Sequence, residues 1–326
     1  MLSMFLGSPT LLPALLLALA LDAGLGDPAW LWQRIPHPVA LAGWAIDQLD
    51  RALNRDEAPD LHRRIAGVAA LSILMAASFG IGLLIHALLN QISWGWLIEA
   101  ALMATLLAQN SLYRHVEAVA RALADGTLAE ARDVVRHIVG RDPESLDRPA
   151  VARAAIESLA ENFADGVLAP LFWGLLFGLP GMMAYKAANT ADSMIGHRTQ
   201  RHEAFGWASA RFDDLLNLAP ARLSGLLIAL ASFQSFGDSV RVMLKDAPRH
   251  RSPNAGWPEA AMAGALEIAL AGPRTYYGGR VGDSHWVNED GRRELGATDI
   301  RNALALYLRA CLIEAALVAL LWILVR

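Results

Sequence analysis

Long apolar runs dominate the pattern of hydrophobic and polar positions along this chain. They cover Met1 to Leu21, Ile65 to Asn90, Ile92 to Leu112 and Ala303 to Val325, with few charged residues inside them. One helical crossing of a bilayer core needs about 20 mainly apolar residues. Each run therefore predicts a firm transmembrane helix, and the second and third are expected to form a hairpin.

Two further apolar stretches, Val167 to Tyr185 and Leu223 to Gly237, are predicted to be broken or re-entrant helices. The first contains Pro170, Pro180 and three glycines, which interrupt or kink a regular helix. If both insert only partly, the large polar segments at about 22–64, 113–222 and 238–302 lie on one face of the membrane. Helical signals recur in these segments, and strand patterns are scarce. The predicted fold is all-α, a single integral membrane domain spanning 1–326.

The composition supports a membrane protein and excludes several other classes. Of the 326 residues, 55% are hydrophobic and 18% charged, whereas about a quarter of a soluble protein is charged. The formal net charge of −4 gives no reason to expect nucleic-acid binding. The single cysteine, Cys311, rules out an internal disulfide. Walker A, HExxH, GxSxG and SxxK motifs are also absent, so any use of ATP requires another scaffold.

The first polar cluster is ESLAENFADG (157–166). Glu157, Glu161 and Asp165 recur every fourth residue, which places three carboxylates on one helical face. Stacked like charges destabilise a helix, so Mg²⁺ with a phosphate is a candidate partner. A solvated acidic stripe explains the same spacing, and the sequence favours neither interpretation.

The second cluster is YKAANTADSMIGHR (185–198), which follows the proline-broken stretch. It is predicted to bind substrate or phosphate through Asn189, Ser193 and Arg198, and to act in catalysis through Lys186 and Asp192. Lysine is rare in this chain and would offer a point charge to a phosphate. A lysine that snorkels to the membrane edge is the alternative.

The third cluster is FGWASARFDDLLNLAPARL (205–223). Arg211 and Asp214 are spaced to form an ion pair, and Asp213 and Asn217 share a helical face at a spacing that suits a divalent metal. Asp213, Asp214 and Asn217 are predicted to bind metal or substrate, and Arg211 to act in catalysis. An Asp-Asp pair that is only a surface feature of the helix is the alternative. Arg222 is either an anion-binding residue or a snorkelling one.

Two proline-shaped loops supply the remaining candidates. His37 lies in PHPV (36–39), where the prolines impose extended geometry, and it is a possible general base; a structural role is the alternative. The segment HRSPNAGWPEAAMAG (250–264) adds Asn254, Trp257 and Glu259 as candidate substrate-binding residues. An exposed tryptophan there suits a flat organic ligand or a membrane interface.

Several of these motifs, in this order, resemble the adenosylcobinamide-phosphate synthase family of cobalamin biosynthesis, known as CobD or CbiB. The motifs are GDP…HPV, ESLAEN-x-x-DG, YKAANTADSM-x-G, FGW-x-x-AR-x-DD-x-x-N-x-x-PARL and SPNAGWPEAAMAGAL, covering about residues 20 to 280. Ala191, His197 and Arg198 depart from the family's usual residues, although Arg198 keeps the positive charge. These departures affect fine substrate choice rather than the class of reaction.

The resemblance implies a multi-pass enzyme of the cell (inner) membrane. Such an enzyme uses ATP and Mg²⁺ to join aminopropanol, or its O-phosphate, to a propionate carboxylate of (adenosyl)cobyric acid. Its partners would be the corrinoid, the amine, the lipid bilayer and other late cobalamin-assembly enzymes. An acyl phosphate is the simplest activated form of the carboxylate. On this scheme the acids ligate Mg²⁺, while Lys186, Arg198, Arg211 and Arg222 neutralise phosphates and the corrinoid carboxylate.

Two other functions fit the same residues. Polar clusters beside proline-broken helices also describe a transporter, in which Lys186, Asp192 and Asp213 would line a path. A Mg²⁺-dependent membrane transferase is the other alternative, although a second aspartate-rich motif is missing from the sequence. Formation of an ATP-dependent amide product would distinguish the ligase from both.

Overall fold

The computed structural model describes residues 9–138, 143–197, 199–272, 275–276, 280–281 and 285–325. Its helices in chain order are α1 (Leu11–Leu25), α2 (Ala29–Trp32), α3 (Pro38–Leu53), α4 (Asp60–Leu89), α5 (Gly95–Ala104), α6 (Gln109–Asp125), α7 (Leu128–Val135), α8 (Arg148–Phe163), α9 (Ala169–Ile195), α10 (Trp207–Leu216), α11 (Leu218–Ala231), α12 (Phe236–Asp246), α13 (Gly256–Leu266) and α14 (Ala297–Val325). A π-helical turn, Ala164–Leu168, joins α8 to α9, and short 3₁₀ turns lie at Pro143–Ser145, Phe233–Ser235 and Ala247–Arg249.

The few strands in the described residues form two short antiparallel ribbons. Strand β1 (Leu270–Ala271) pairs with β4 (Trp286–Val287), and β2 (Thr275–Tyr276) pairs with β3 (Arg280–Val281). The all-α prediction is therefore confirmed. The chain divides into two compact units: unit 1 comprises Met1–Ala108, Ala169–Asn217 and Val318–Arg326, and unit 2 comprises Gln109–Leu168 and Leu218–Leu317.

Unit 1 is built around α4 and α9, which pack against each other and against α3 and α10. Its buried apolar cluster includes Ile46, Leu74, Ile195 and Phe205. Close helix packing requires glycine at position 67, because a Cβ there would lie 1.9 Å from the carbonyl oxygen of Phe205. The backbone at Phe205, in the polar segment that follows α9, thus packs directly against the long helix α4.

Unit 2 has a larger apolar core, to which α6, α8, α13 and α14 contribute. Phe163 meets Tyr307 edge to face at 5.5 Å, and the Tyr307 hydroxyl donates a hydrogen bond of 3.0 Å to the carbonyl oxygen of Gln109. Local sequence sets the helix starts. Asp147 caps α8 by accepting from the Ala150 amide, and Pro149 lies in the first turn of this helix, where its missing amide hydrogen costs nothing.

Among the residues that the structure describes, three helical segments are long and apolar enough to cross a membrane: Asp60–Leu89, Arg148–Ile195 and Ala297–Val325. If the bent pair of α10 and α11 is counted as one span, the number of candidate spans is four. Much of the apolar surface of α4 and α14 is exposed, with Leu84 and Ile323 among the exposed side chains. Continuous exposed apolar faces of this size are unfavourable in water and favourable in a bilayer. The prediction of a polytopic membrane protein is therefore confirmed.

The individual spans differ in detail from the sequence prediction. Helix α5 ends at Ala104, well before the expected Leu112, because the Thr105 hydroxyl bonds back to Leu102 and the chain turns through residues 105–107. The first apolar run forms only the 15-residue helix α1 within the described residues. Helix α5, the second arm of the predicted hairpin, has only 10 residues and is shorter than a full crossing.

Both stretches that were predicted to be broken are broken. Gly178 interrupts α9 with φ 62° and ψ −152°, a conformation that favours glycine, and Pro180 opens the second half of the helix. Within Leu223–Gly237, helix α11 ends at Ala231 and a 3₁₀ turn at Phe233–Ser235 leads into α12. Just before this stretch, α10 and α11 meet at an angle of 46°. The half of α9 after Gly178 carries the second polar cluster.

Candidate functional site

One polar group of unit 1 centres on the buried carboxylate of Asp213. Asn217 donates to its Oδ2 at 3.0 Å, and Asn189 donates to its Oδ1 at 3.3 Å. The hydroxyl of Tyr185, itself buried, donates at 2.9 Å to Oδ1 of Asn217 and so fixes the orientation of that amide. Helices α9 and α10 thereby place one carboxylate between two amides, as the helical spacing of Asp213 and Asn217 predicted.

Further charged side chains surround this carboxylate. Asp192 and Asp214 are close enough to Asp213 to interact with it electrostatically. The predicted i, i+3 pair is confirmed, because Arg211 lies 3.2 Å from Oδ2 of Asp214. Asp192, Asp213 and Asp214 thus form a partly buried acidic group with one exposed guanidinium at its edge.

The donor set of this group fits Mg²⁺ in type. Carboxylate and amide oxygens are ligands that Mg²⁺ takes, and Mg²⁺ is commonly held by one or two carboxylates together with substrate phosphates. Within the described ranges, no group of three or more His, Cys, Asp or Glu side chains forms a complete metal site. Both oxygens of Asp213 already accept amide hydrogen bonds.

A second polar group of unit 1 surrounds Asp27 in the turn after α1. Nε2 of His37 lies 3.3 Å from Oδ1 of Asp27, and the Trp32 ring meets the His37 ring edge to face at 4.4 Å. The His37 ring beside the carboxylate lowers the pKa of Asp27 below its ordinary value, aided by Trp32 and by the positive charge of Lys186. Lys186 is therefore close to this group as well.

The geometry of His37 bears on its predicted role as a base. Its Nδ1 accepts a hydrogen bond of 3.1 Å from the Val39 amide and so caps α3. An accepting Nδ1 places the ring proton on Nε2, where it faces Asp27. Action as a general base would require the bond from Val39 to open.

The remaining predicted residues of unit 1 lie on or after α9. Ser193 is exposed and donates to the carbonyl oxygen of Asn189 at 3.0 Å, which leaves its hydroxyl oxygen at the surface. Arg198 lies outside the described residues.

An ion-pair network that the sequence analysis missed holds the chain after α9. Arg201 donates to Asp50 at 2.8 and 3.0 Å and to Asp56 at 3.0 and 3.2 Å. Arg63 and Asn54 both donate to the backbone carbonyl of Arg201. Burial would raise the pKa of Asp50, but hydrogen bonds from Asn54 and Arg201 lower it below its ordinary value. Five separated residues form this network, so no local motif reveals it.

The predicted acidic stripe lies in unit 2. Glu157 is buried and accepts a hydrogen bond of 2.8 Å from the backbone amide of Ala271, whereas Glu161 is exposed. The regular spacing does not continue, because Asp165 belongs to the π-helical turn and not to α8. A π turn advances more residues per turn than an α-helix, so the third carboxylate leaves the common face.

The C-terminal candidates also lie in unit 2. Arg222 extends over the ring of Trp257, with the guanidinium carbon 4.5 Å from the centroid. Asn254 and Glu259 are buried, and Nε2 of His250 lies 3.7 Å from Oε2 of Glu259. The loop thus combines a cation–aromatic pair with two buried polar side chains.

The predicted site residues are therefore divided between the units. His37, Lys186, Asn189, Asp192, Ser193, Arg211, Asp213, Asp214 and Asn217 belong to unit 1, while Glu157, Glu161, Asp165, Arg222, Asn254, Trp257 and Glu259 belong to unit 2. Sequence reasoning left out Asp27, Tyr185 and Arg201. The first two stand inside quoted motifs, GDP and YKAANTADSM, and could have been selected there.

Comparison with known proteins gives consistent matches over nearly the whole chain. The family model described as CobD/Cbib protein matches residues 15–307. A protein named "Cobalamin biosynthesis protein CobD" from Sinorhizobium sp. is 50% identical over 317 residues, which cover 95% of this chain and 98% of that protein. Proteins of the same name from Rhizobium meliloti (48%; 93% and 94% covered) and Rhodobacter capsulatus (49%; 94% and 97% covered) are similar. No solved structure matches.

Proposed function

This chain belongs to the CobD/CbiB family, and from that membership we propose that it is an amide ligase of cobalamin biosynthesis. The proposed reaction joins aminopropanol, or its O-phosphate, to a propionate carboxylate of (adenosyl)cobyric acid at the expense of ATP. The product is (adenosyl)cobinamide or its phosphate. We place the enzyme in the cell (inner) membrane because its long apolar helices require a bilayer.

One observation carries the proposal: about half of the residues are identical, over almost the full length, to proteins named for cobalamin biosynthesis. The matched region of the family model, residues 15–307, includes every polar group described above. The geometry adds a chemical rationale, because a group of oxygen donors with cations at its edge suits phosphate chemistry.

Amide formation from a carboxylate requires activation of the carboxylate. In the proposed first step, a propionate oxygen attacks the γ-phosphorus of ATP, the bond to the leaving ADP oxygen breaks, and an acyl phosphate forms. In the second step, the neutral amine attacks the acyl carbon, a C–N bond forms and inorganic phosphate leaves. The nitrogen then gives up its extra proton to solvent or to a nearby base.

The described side chains would mainly position the reactants and balance charge. Asp192 and Asp214 would hold Mg²⁺, which when bound would neutralise phosphate charge. Asp213, fixed between Asn189 and Asn217, would orient the ligands by hydrogen bonding. Lys186 and Arg211 would bind phosphate oxygens, because both are cations beside this acidic group or the Asp27 group.

A transporter remains the alternative from another class, since broken helices with polar side chains also describe a transport path. The two functions differ in a product that is simple to measure. A transporter would move a corrinoid or an ion across vesicles without forming an amide bond.

The test uses membranes that contain the full chain, with ATP, Mg²⁺, cobyric acid and aminopropanol phosphate. We expect mass spectrometry to detect the amide product, together with one ADP for each amide, and no product when ATP is omitted. The Asp213→Asn variant should lower turnover by about 100-fold or more, because it replaces an acceptor oxygen by an NH₂ group and disrupts the hydrogen bonds that hold Asn189 and Asn217 beside the proposed Mg²⁺ ligands. If membranes that contain the folded wild-type chain form no amide, the ligase proposal is refuted.

The matched control is Asp238→Asn. Asp238 is exposed on α12 and pairs with Arg241. In the sequence it is well separated from the nearest predicted site residues, Arg222 and Asn254. Its turnover should stay within about twofold of wild type, because surface ion pairs contribute little. Equal losses in both variants would mean that the assay reports protein amount rather than site chemistry.

A further inference from the structure

The group formed by Asp27, Trp32 and His37 has the features of a small cation-binding site. The Asp27 side chain is 38% exposed, so one side of the carboxylate faces solvent while the other faces His37 at 3.3 Å. The Trp32 ring packs edge to face on His37. A half-exposed carboxylate beside an aromatic ring is a suitable receptor for a primary ammonium group.

The hydrogen bonding of His37 keeps this carboxylate in place and negatively charged. Because Nδ1 of His37 accepts from the Val39 amide, the ring proton lies on Nε2, which faces Asp27 at 3.3 Å. This arrangement also anchors the ring to the first turn of α3. The lowered pKa of Asp27 makes it a weak base and a persistent anion, so it suits binding better than proton removal.

A positive charge completes the pattern. Lys186, from the second half of α9, is near enough to contribute to the electrostatics of Asp27. The same unit therefore presents a carboxylate and an ammonium group within electrostatic range of each other. A small ligand that carries a cation at one end and an anion at the other would match both charges.

We propose that Asp27 binds the ammonium group of the amine substrate, with His37 as a positioning residue that orients the carboxylate and Lys186 facing the anionic end of a phosphorylated amine. This assignment rests on the proposed ligase function and identifies which substrate the Asp27 group binds. The corrinoid and ATP are bound elsewhere on this scheme. The amine is thus recognised by the turn between α1 and α3.

The experiment compares Asp27→Asn with Asp47→Asn in the amide-forming assay. The two aspartates are closely matched, because each side chain is 38% exposed and each faces one cationic or proton-donating partner, His37 or Arg51. For Asp27→Asn we expect KM for the amine to rise roughly 10- to 100-fold, the range for loss of a hydrogen bond to a charged group. KM for ATP and for cobyric acid should stay within about twofold, and Asp47→Asn should change none of the three.

Two further variants separate positioning from packing. His37→Asn keeps a helix-capping side chain, so α3 should remain intact while KM for the amine rises by less than in Asp27→Asn. Lys186→Gln should raise KM for aminopropanol phosphate and leave KM for unphosphorylated aminopropanol nearly unchanged. Equal effects of Lys186→Gln on both amines would overturn its assignment to the anionic end.

The outcomes distinguish this inference from the proposed function. Amide formation by wild type, with an unchanged amine KM in Asp27→Asn, overturns the inference and leaves the ligase intact, whereas no amide from wild type removes both.

If Asp27→Asn fails to reach the membrane, wild type is tested with isopropyl phosphate, which lacks the nitrogen, as a competitive inhibitor. An inhibition constant at least 10-fold above KM for the amine supports the proposal, and an equal value overturns it.

Discussion

The bond from Tyr185 to Asn217 offers the sharpest test of how the site is held together. Tyr185→Phe removes only the hydroxyl, which donates at 2.9 Å to the buried amide oxygen of Asn217. Both side chains are about 1% exposed, so water cannot readily replace the lost donor. Asn217 in turn donates to Asp213 at 3.0 Å, which makes the hydroxyl the outermost member of a three-residue relay.

The expected magnitude follows from the cost of an unsatisfied buried acceptor. That cost is about 1–3 kcal/mol in proteins generally, and measured hydrogen bonds inside membrane proteins average about 0.6 kcal/mol. We therefore expect a loss of about 1 kcal/mol, which corresponds to a fall in Tm of about 2–4 °C for a chain of several hundred residues. Turnover should fall further than stability suggests, because Asn217 can rotate away from Asp213.

The assay is thermal unfolding of the purified chain in detergent micelles, together with amide formation in membranes. Tyr113→Phe is the matched control, since Tyr113 is partly buried and its hydroxyl has no hydrogen-bond partner in the described part of the chain. Its Tm and turnover should match wild type. Unchanged Tm and unchanged turnover in Tyr185→Phe would refute the argument that this hydroxyl orients the site.

Three further expectations concern packing, a buried charge and pH. Gly67→Ala should greatly reduce the folded fraction that survives heating in detergent, because the new Cβ meets a backbone oxygen at 1.9 Å, while Gly80→Ala in the same helix has open space and should be neutral or slightly stabilising. Glu157→Gln should cost about 1–3 kcal/mol in a denaturation assay, since it weakens a buried charge-assisted hydrogen bond, whereas Glu161→Gln at the exposed position should stay within about 0.5 kcal/mol. The folded pKa of Asp50 is below its ordinary 3.8, so its stabilising contribution should be complete at neutral pH and lost as the pH falls below about 4; a flat Tm from pH 6 to pH 3 would contradict this.

Short-range features of the site were accessible from the sequence. The pairs Arg211 with Asp214 and Asp213 with Asn217 follow from helical spacing alone, and both form. The break near Gly178 was also indicated, because proline and glycine are concentrated in an uncharged segment. These predictions succeed because the relevant partners lie within one or two turns of the same helix.

Long-range features were not accessible in the same way. The network of Arg201 with Asp50 joins residues 151 positions apart, and only tertiary packing brings them together. The acidic stripe shows that local prediction can also fail. Regular spacing placed Asp165 on the same helical face as Glu157, but the π turn at Ala164–Leu168 removes it from that face. Sequence periodicity assumes an uninterrupted helix, and one additional residue in a turn invalidates that assumption.

The interruption of α9 at Gly178 also determines how the chain would respond to insertions. An α-helix turns about 100° for each residue. One residue added between Pro180 and Lys186 would therefore swing Lys186 and all later side chains of that half-helix about a quarter-turn out of register with their partners. One residue added before Gly178 would instead displace the half-helix that carries the buried Leu171 and Gly174, so the break confines the effect of an insertion to one half of α9.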